Sequence, residues 1–383
     1  MFKNIIKNKK LLTLSFIFLI IFFYDLEFGI TDYIFLIFSI FFFISAVLFP
    51  KWVSNYIFIM ALTSYSFLLC YSIFFTPTDS RNSIFIQDDV LGYKLIPNLT
   101  YKFDDNLRKG LIKTNSLGFR DDEFIDNGKN NIVLLGDSMT FGFLVDQKDN
   151  LDKQIEASCK SVNAHNLGVG GYGLPAIINN YKSYNIKHSH VVYFFYINDL
   201  RIDNFNNHNN TIVKDGYIIV KKGSDGTVIS EDDINIKINE FKKKKESKYG
   251  AIKLRYFFML LKDYLVMNGV FSASHELNDF KYGGYSDELT DKAVFLTNKL
   301  REIVNSRGSE FTVVILPSHR SINAKKYTNQ VKNYIEKISY NLRTIDLLDD
   351  MNQNDLIYYD GHLSEKGMQK VAKKLCASIS GKY

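Results

Sequence analysis

Cysteine is scarce in this chain of 383 residues, which contains only three, and none of them has the spacing of a metal site. Cys70 lies in an apolar run. Cys159 and Cys376 lie far apart in separate predicted helices, so the sequence leaves a disulfide between them open. The seven histidines are scattered as well. We therefore expect no metal ion and no cofactor.

An excess of charge of one sign is also missing. The chain has 47 lysines and arginines against 41 aspartates and glutamates, which gives a net charge of +6. This balance gives no reason to expect a nucleic-acid partner. The sequence shows no internal repeat, and its length favours two or three structural units.

Long apolar runs, by contrast, dominate the first part of the chain, at residues 11–24, 33–49 and 56–75. The last run reaches the roughly 20 residues that a bilayer requires, whereas the first is short. Lysines precede the first run, as in a signal peptide, but no small-residue cleavage motif follows it. The sequence predicts a transmembrane region of about three helices over residues 1–76.

Charge predicts the orientation of this region. Four lysines before the first run favour the cytoplasmic side, and the acidic residues between the first two runs favour the outside. Three crossings place the rest of the chain outside the inner (cytoplasmic) membrane, as a multi-pass protein with an extracytoplasmic domain. An even number of crossings would place it in the cytoplasm.

Beyond residue 76, strand patterns alternate with helical patterns. Strands are predicted at 131–135, 190–197 and 311–316, and helices at 150–159, 174–184, 289–306 and 328–342. This alternation predicts an α/β domain with a parallel sheet over 127–383, behind a connector over 77–126. An insertion at about 202–285, with a predicted hairpin at 216–228 and a helix at 236–267, is placed to form part of a substrate wall.

Ser138 stands at the end of the first of these strands, in Gly136-Asp137-Ser138. A hydroxyl in this place has backbone N–H groups and a helix N-terminus nearby, both of which stabilise a developing oxyanion. The simpler interpretation is that Asp137 and Ser138 only cap a helix. A nucleophile also needs a base and further hydrogen-bond donors, so the rest of the chain decides between the two.

Three later positions can supply these groups. Gly168 lies in a glycine-rich loop whose N–H groups could face a carbonyl, and Asn198 follows the strand at 190–197. Near the C-terminus, His362 is a candidate general base, and Asp360, two residues away, is a candidate for orienting it. Taken singly, each position also has an explanation without catalysis. Gly168 is explained by a flexible loop, Asn198 by a turn, and the pair Asp360 and His362 by an ordinary surface or core location.

Together, these elements resemble the four blocks of the SGNH (GDSL-type) hydrolase superfamily in order and spacing, with Met139 in place of the usual leucine and a shortened Asp-x-His block. The resemblance implies a flavodoxin-like three-layer α/β fold behind the membrane region. It also implies the site residues: catalytic Ser138, His362 and Asp360, and an oxyanion hole of Ser138, Gly168 and Asn198. The connector at 77–126 also serves as a lead-in segment, which resembles members of this family at 91–98 and 114–123. We expect this lead-in to have a structural role, with Arg120 bracing a carboxylate such as Asp121 or Asp122.

The function implied by this resemblance is that of a serine esterase. It would act through an acyl-enzyme on an O-acylated glycan, glycolipid or lipid outside the cytoplasmic membrane. An O-acyltransferase or O-acetyltransferase that modifies an envelope polysaccharide would start from the same acyl-enzyme. A non-catalytic glycan-binding domain is the third alternative, and the sequence leaves the choice and the oligomeric state open.

Overall fold

The computed structural model of the chain describes residues 13, 40–45, 47–60, 63, 84–104, 108–124, 130–201, 211–215, 217–220, 230–246, 285–357 and 360–379. The chain divides into two compact units. One comprises Met1–Pro77 with Lys245–Asp263, and the other comprises Thr78–Lys244 with Tyr264–Tyr383.

The described residues of the first unit are mostly helical, at 40–45, 47–48 and 51–60. Several large apolar side chains on these helices are exposed, among them Phe41, Phe43 and Trp52. No helix among the described residues is both long and apolar enough to cross a membrane. Most of the predicted span at 11–24 and large parts of those at 33–49 and 56–75 lie outside the described residues.

The second unit contains all eleven strands that the described residues form. They are β1 Phe85–Asp88, β2 Gly92–Leu95, β3 Thr100–Asp104, β4 Lys109–Lys113, β5 Asn130–Leu135, β6 Val162–Asn166, β7 His190–Phe195, β8 Thr211–Lys214, β9 Tyr217–Val220, β10 Glu310–Ile315 and β11 Arg343–Asp346. The helices are α1 Ser138–Phe141, α2 Leu151–Ser158, α3 Leu174–Ser183, α4 Glu231–Glu246, α5 Asp287–Ser306, α6 His319–Ala324, α7 Asn329–Ser339 and α8 Glu365–Ile379.

A parallel sheet of five strands, in the order β11-β10-β7-β5-β6, forms the centre of this unit. When these five strands are numbered 1 to 5 in chain order, their order across the sheet, starting from β6, is 2-1-3-4-5. This is the flavodoxin-like arrangement. The chain reverses its direction of winding between β5 and β7. Ligand sites in such sheets lie at this reversal, beyond the carboxyl ends of the strands.

The strands are apolar on both faces because helices cover both. Val133 and Leu135 of β5 face a core formed with α3, α5 and α7, whereas Ile132 and Leu134 face a core formed with α2 and α8. These two cores confirm the predicted α/β class and the three-layer parallel-sheet fold. They also explain why β5, β7 and β10 were recognisable as continuous apolar runs.

Three smaller antiparallel hairpins lie outside this sheet: β1–β2, β3–β4 and β8–β9. The predicted hairpin at 216–228 contains β9, but residues 216 and 221–228 lie outside the described residues, so it stays a prediction. The hairpin β8–β9 begins earlier in the chain, and Asp215 between its strands has a φ of 53°. Gln87 of β1 joins this hairpin to the lead-in. Its Nε2 donates to the carbonyl of Thr211, and its Oε1 accepts from the N–H of Val213. Of the helix predicted at 236–267, the described part belongs to α4.

A disulfide joins Cys159, which follows α2, to Cys376 in α8, with 5.8 Å between the Cα atoms. The sequence alone did not decide whether these two cysteines are bonded. Both helices pack on the same face of the sheet. The bridge therefore ties the C-terminal helix to the first half of the domain.

Candidate active site

The carboxyl edge of the sheet brings the candidate residues together. Ser138 comes three residues after the end of β5, and Asn198 lies in the 3₁₀ turn Ile197–Leu200 that follows β7. These two strands flank the topological reversal. His362 comes from the loop before α8, at the far end of the chain.

Ser138 begins α1, a helix of a single turn. Asp137, not Ser138, is its N-cap, and the Asp137 carboxylate accepts a hydrogen bond of 2.8 Å from the N–H of Met139. The helix ends at Gly142, which has a φ of 82°. A single turn carries little macrodipole, so the helix contributes local N–H groups rather than the field that the sequence suggested.

His362 reaches Ser138 across the edge of the sheet. The Nε2 atom of His362 lies 2.7 Å from the Oγ of Ser138, and its Nδ1 atom is hydrogen-bonded to the carboxylate of Asp360. An acceptor at Nδ1 fixes the tautomer in which Nε2 is free to take a proton. The ring of Phe143 packs against the imidazole with 5.1 Å between ring centroids.

Backbone hydrogen bonds close the loop that carries this pair. The carbonyl of Ile357 accepts from the N–H groups of Asp360 and Gly361, at 3.1 and 2.8 Å, and the N–H of Ile357 donates to the carbonyl of His362. Gly361 has a φ of 88°, a conformation that favours glycine. This turn allows two residues only two positions apart to face each other.

Asn198 is held by two buried aspartates. Its Nδ2 donates to the Asp137 carboxylate at 2.7 Å. The neighbouring Asp199 accepts from the Tyr193 hydroxyl at 2.8 Å and from the N–H of Tyr196 at 3.1 Å, which fixes the turn. Burial raises the pKa of Asp137, and burial together with the charge of Asp137 raises the pKa of Asp199 well above its usual value.

Gly168 does not take the position that the sequence predicted. Its N–H donates to the Oδ1 of Asn166 at 2.9 Å, so this group is already occupied. A Cβ added at Gly168 would lie 2.5 Å from the backbone nitrogen of Phe141. Glycine is needed here because the loop after β6 packs against the backbone of α1. The assignment of Gly168 to the oxyanion hole is therefore corrected.

The next glycines of the same loop lie beside Ser138 instead. A Cβ added at Gly170 would lie 3.9 Å from the Cβ of Ser138. Gly171 has a φ of 81°, and the Gly170 carbonyl accepts from the Tyr93 hydroxyl at 3.0 Å. Within the described part of the chain, the N–H groups of Gly170 and Gly171 donate to no acceptor. The glycine-rich composition of the loop was the signal for this segment, but it could not indicate which glycine faces Ser138.

Arg120 braces the segment that follows Ser138, through carbonyl oxygens rather than through the predicted carboxylate. The fully buried guanidinium donates to the carbonyls of Phe141, Gly142 and Val145. Burial lowers its pKa to about 10, so it remains charged at neutral pH. Asp121 pairs with Lys153 instead, at 2.9 Å.

A cavity of about 290 Å³ opens beside Ser138 and His362. One wall comes from the lead-in hairpins and the residue before them: Ile84, Phe85, Tyr93, Tyr101, Phe103 and Ile112. Phe143, next to the imidazole, and Ile218 of β9 complete it. The sequence predicted only a structural role for the lead-in, because the apolar side chains of a hairpin do not reveal which cavity they line.

Among the described residues, no group of three or more His, Cys, Asp or Glu side chains is arranged to hold a metal ion. Two of the described histidines outside the site have structural partners. The Nδ1 of His188 bonds the carbonyl of Ile186, and the Nε2 of His190 bonds the Thr312 hydroxyl.

Comparison with known proteins gives fold-level likenesses only. No protein-family model matches the chain, and no curated protein matches it in sequence. A lipolytic protein of the G-D-S-L family from Veillonella parvula is similar at 14% identity and a TM-score of 0.34, over 66% of this chain and 99% of that one. An acetyl xylan esterase from the rumen bacterium Butyrivibrio proteoclasticus is similar at 11% identity and a TM-score of 0.34, over 72% of this chain and 68% of that one. At such low values these likenesses carry no inference about activity, which rests on the site itself.

Proposed function

We propose that this domain is a serine hydrolase that cleaves esters through an acyl-enzyme on Ser138. The observation that carries the proposal is the hydrogen-bonded chain from the Ser138 hydroxyl through His362 to Asp360. A nucleophile in contact with a base, which is itself oriented by a carboxylate, is the arrangement that acyl transfer requires.

The reaction follows from this geometry. The Oγ of Ser138 attacks the ester carbonyl while Nε2 of His362 takes the hydroxyl proton. The bond from the carbonyl carbon to the alcohol oxygen then breaks, and the same proton passes from His362 to the departing alcohol. Water repeats the sequence on the acyl-enzyme and releases a carboxylic acid and free Ser138. Asp360 stabilises the imidazolium in both steps without taking its proton.

We assign the oxyanion hole to backbone N–H groups of Ser138 and of the Gly170–Gly171 segment, with the side-chain amide of Asn198. The side-chain amide of Asn198 donates to the Asp137 carboxylate at 2.7 Å. The Asp137 contact sets the direction of the amide. Preorganised donors of this kind stabilise the developing negative charge without having to reorient during the reaction.

Hydrolysis of a p-nitrophenyl ester by purified protein tests this proposal. Ser138→Ala and His362→Ala should each lower kcat by about 10³-fold or more while the circular dichroism spectrum is kept, and Asp360→Asn should cause a smaller loss. Ser306→Ala, at an exposed helix end, is the matched control and should retain full activity. Turnover that survives in a folded Ser138→Ala protein would refute the proposal.

The particular class that we propose is an SGNH (GDSL-type) esterase. The residue pattern of the four blocks supports it, together with the 2-1-3-4-5 parallel sheet. We propose an O-acylated glycan, glycolipid or lipid as the substrate. Acid release measured with and without a glycan acceptor separates hydrolysis from O-acyl transfer, because a transferase diverts the acyl group to the acceptor. A non-catalytic binding domain would not explain the contact between His362 and Ser138.

We further propose that residues 1–76 anchor the protein in the inner membrane and that the esterase domain lies outside the cytoplasm. The apolar runs support the anchor, and the Cys159–Cys376 disulfide supports an oxidising compartment. A C-terminal alkaline phosphatase fusion should therefore be active and a β-galactosidase fusion inactive. The reverse result would place the domain in the cytoplasm.

A further inference from the structure

The cavity beside Ser138 has a chemical character that the catalytic residues do not define. Its walls are aliphatic and aromatic side chains from three parts of the chain: the lead-in, the segment after α1 and the hairpin β8–β9. We propose that this cavity holds the acyl group of the substrate, and that this group is apolar with about six to ten carbons rather than acetyl. The inference rests on the proposed esterase function and specifies its substrate.

The location of the cavity fits an acyl group. Ser138 itself is part of the lining, so a group bonded to its Oγ begins inside the cavity. The Gly170–Gly171 segment and Phe143 line the same cavity, with Phe143 packed against the imidazole of His362. An acyl chain leaving Ser138 therefore meets apolar walls directly.

The polarity of the walls favours the acyl half of an ester over a sugar. Sugar hydroxyls taken into an apolar cavity lose their hydrogen bonds to water and need replacements. Tyr93 lines the cavity, but its hydroxyl already donates to the carbonyl of Gly170. Phe85, Phe103 and Ile112 have no hydrogen-bonding group to offer. A polyhydroxylated alcohol is better left in solvent on the outer side of His362, which must protonate it.

The volume of the cavity excludes acetyl as the group it is built for. A space of about 290 Å³ equals roughly ten groups of the size of a water molecule, and a methylene is similar in size. The single methyl of an acetyl group would leave most of the apolar wall without contacts. A chain of about six to ten carbons would bury its methylenes against the walls.

A series of p-nitrophenyl esters from acetate to laurate tests this inference, because the leaving group stays constant while the acyl chain grows. Each methylene up to about six to ten carbons should raise kcat/KM about fourfold, which corresponds to ~0.8 kcal/mol per buried methylene. Acetate and octanoate differ by about six methylenes, so the gain between them should be on the order of 10³-fold, followed by a decline toward laurate. This measurement needs only the wild-type protein.

Ile218→Trp provides the matching variant because it places a larger side chain in the cavity wall. It should lower the octanoate-to-acetate ratio of kcat/KM about tenfold or more. Ile212→Trp is the control. Ile212 lies on the same hairpin and is also half-buried, but it packs with Ile219, Ile234 and Ile238 away from the cavity. The control should leave the ratio unchanged.

The outcomes separate the two proposals. Ser138-dependent hydrolysis that is equally fast for acetate, or fastest for it, would overturn the acyl cavity and leave the esterase function standing. An octanoate preference that Ile218→Trp and Ile212→Trp reduce equally would also overturn it. Absence of Ser138-dependent hydrolysis for every ester would overturn the esterase function, and the acyl assignment with it.

Discussion

Asp137 serves two roles at the scale of single residues. Its buried carboxylate caps α1 through the N–H of Met139 and holds the amide of Asn198. The short turn that presents Ser138 and the turn after β7 are thereby locked to the same side chain. The Asp in Gly-Asp-Ser positions Ser138, the proposed nucleophile, and, through Asn198, one donor of the proposed oxyanion hole.

Asp199, the second buried carboxylate, makes the unfolding free energy depend on pH. Its pKa is raised in the folded protein above the ordinary value of about 3.9, so the folded state binds the proton more tightly. Stability should therefore be fully present below about pH 4 and fall as pH rises through the raised pKa, by up to ~1.4 kcal/mol per pH unit.

The substitution Asp199→Asn should remove the fall in unfolding free energy that the Asp199 carboxyl causes as pH rises. An amide oxygen in place of Oδ2 can still accept from the Tyr193 hydroxyl and from the N–H of Tyr196. Urea unfolding at several pH values should show a variant whose advantage over wild type grows with pH. Asp349→Asn, at an exposed position, controls for loss of a charge. A difference between wild type and Asp199→Asn that stays constant from pH 4 to 8 would contradict the account.

Single-residue chemistry was also the part of the site that the sequence predicted best. The positions of Ser138, Asp360 and His362 followed from their residue types and order, and the structure brings all three into contact. Gly168 was assigned wrongly, because four glycines in eight residues give no information on which N–H faces the nucleophile. That direction depends on how the loop packs against α1.

At the scale of elements, two glycines in the loop after β6 should differ in what they support. Gly168 should matter for stability, and Gly170 for activity. Gly168→Ala should destabilise the fold by about 2 kcal/mol or more and lower kcat, because its Cβ would overlap the backbone of α1. Gly170→Ala should leave stability nearly unchanged, because its Cβ meets only the Cβ of Ser138 at 3.9 Å. The added methyl beside the nucleophile should lower kcat/KM about tenfold.

Thermal unfolding and ester hydrolysis measured on the same two variants check this contrast. Gly168→Ala should show a lower Tm, and Gly170→Ala should show wild-type Tm with reduced turnover. A stable Gly168→Ala protein of full activity would show that the loop does not need to approach α1 so closely.

The strands show why elements differ in how well sequence predicts them. Strands β5, β7 and β10 have continuous apolar runs because helices cover both faces of the sheet. Strand β11 was missed because Arg343–Asp346 is short, largely polar and lies at the sheet edge. The lead-in hairpins have ordinary β patterns, so their contribution to the cavity depended on long-range packing that no local pattern contains.

At the scale of the whole molecule, the disulfide joins segments 217 residues apart in sequence. Closing so long a loop removes much of the entropy of the unfolded chain, which corresponds to about 2–5 kcal/mol in known proteins. Cys376 lies eleven residues beyond the start of α8, roughly 16 Å along the helix from the loop that holds His362. The bridge should therefore support stability rather than chemistry.

Protein that the expression host exports to an oxidising compartment should accordingly contain one free thiol per chain, that of Cys70. The thiols are counted after denaturation without reductant. Replacing both Cys159 and Cys376 by alanine should lower the free energy of unfolding by about 2–5 kcal/mol while kcat at low temperature is kept. Three free thiols, or equal urea midpoints for wild type and the double variant, would contradict a stabilising bridge.

Covalent labelling of Ser138 tests the acyl-enzyme most directly. Peptide mass mapping after treatment with a fluorophosphonate should show one adduct, on the peptide that contains Ser138. The adduct should be absent in Ser138→Ala and should form far more slowly in His362→Ala, because the base no longer activates the hydroxyl. Folded wild-type protein that stays unlabelled at Ser138, under conditions that label a known serine esterase, would contradict the mechanism.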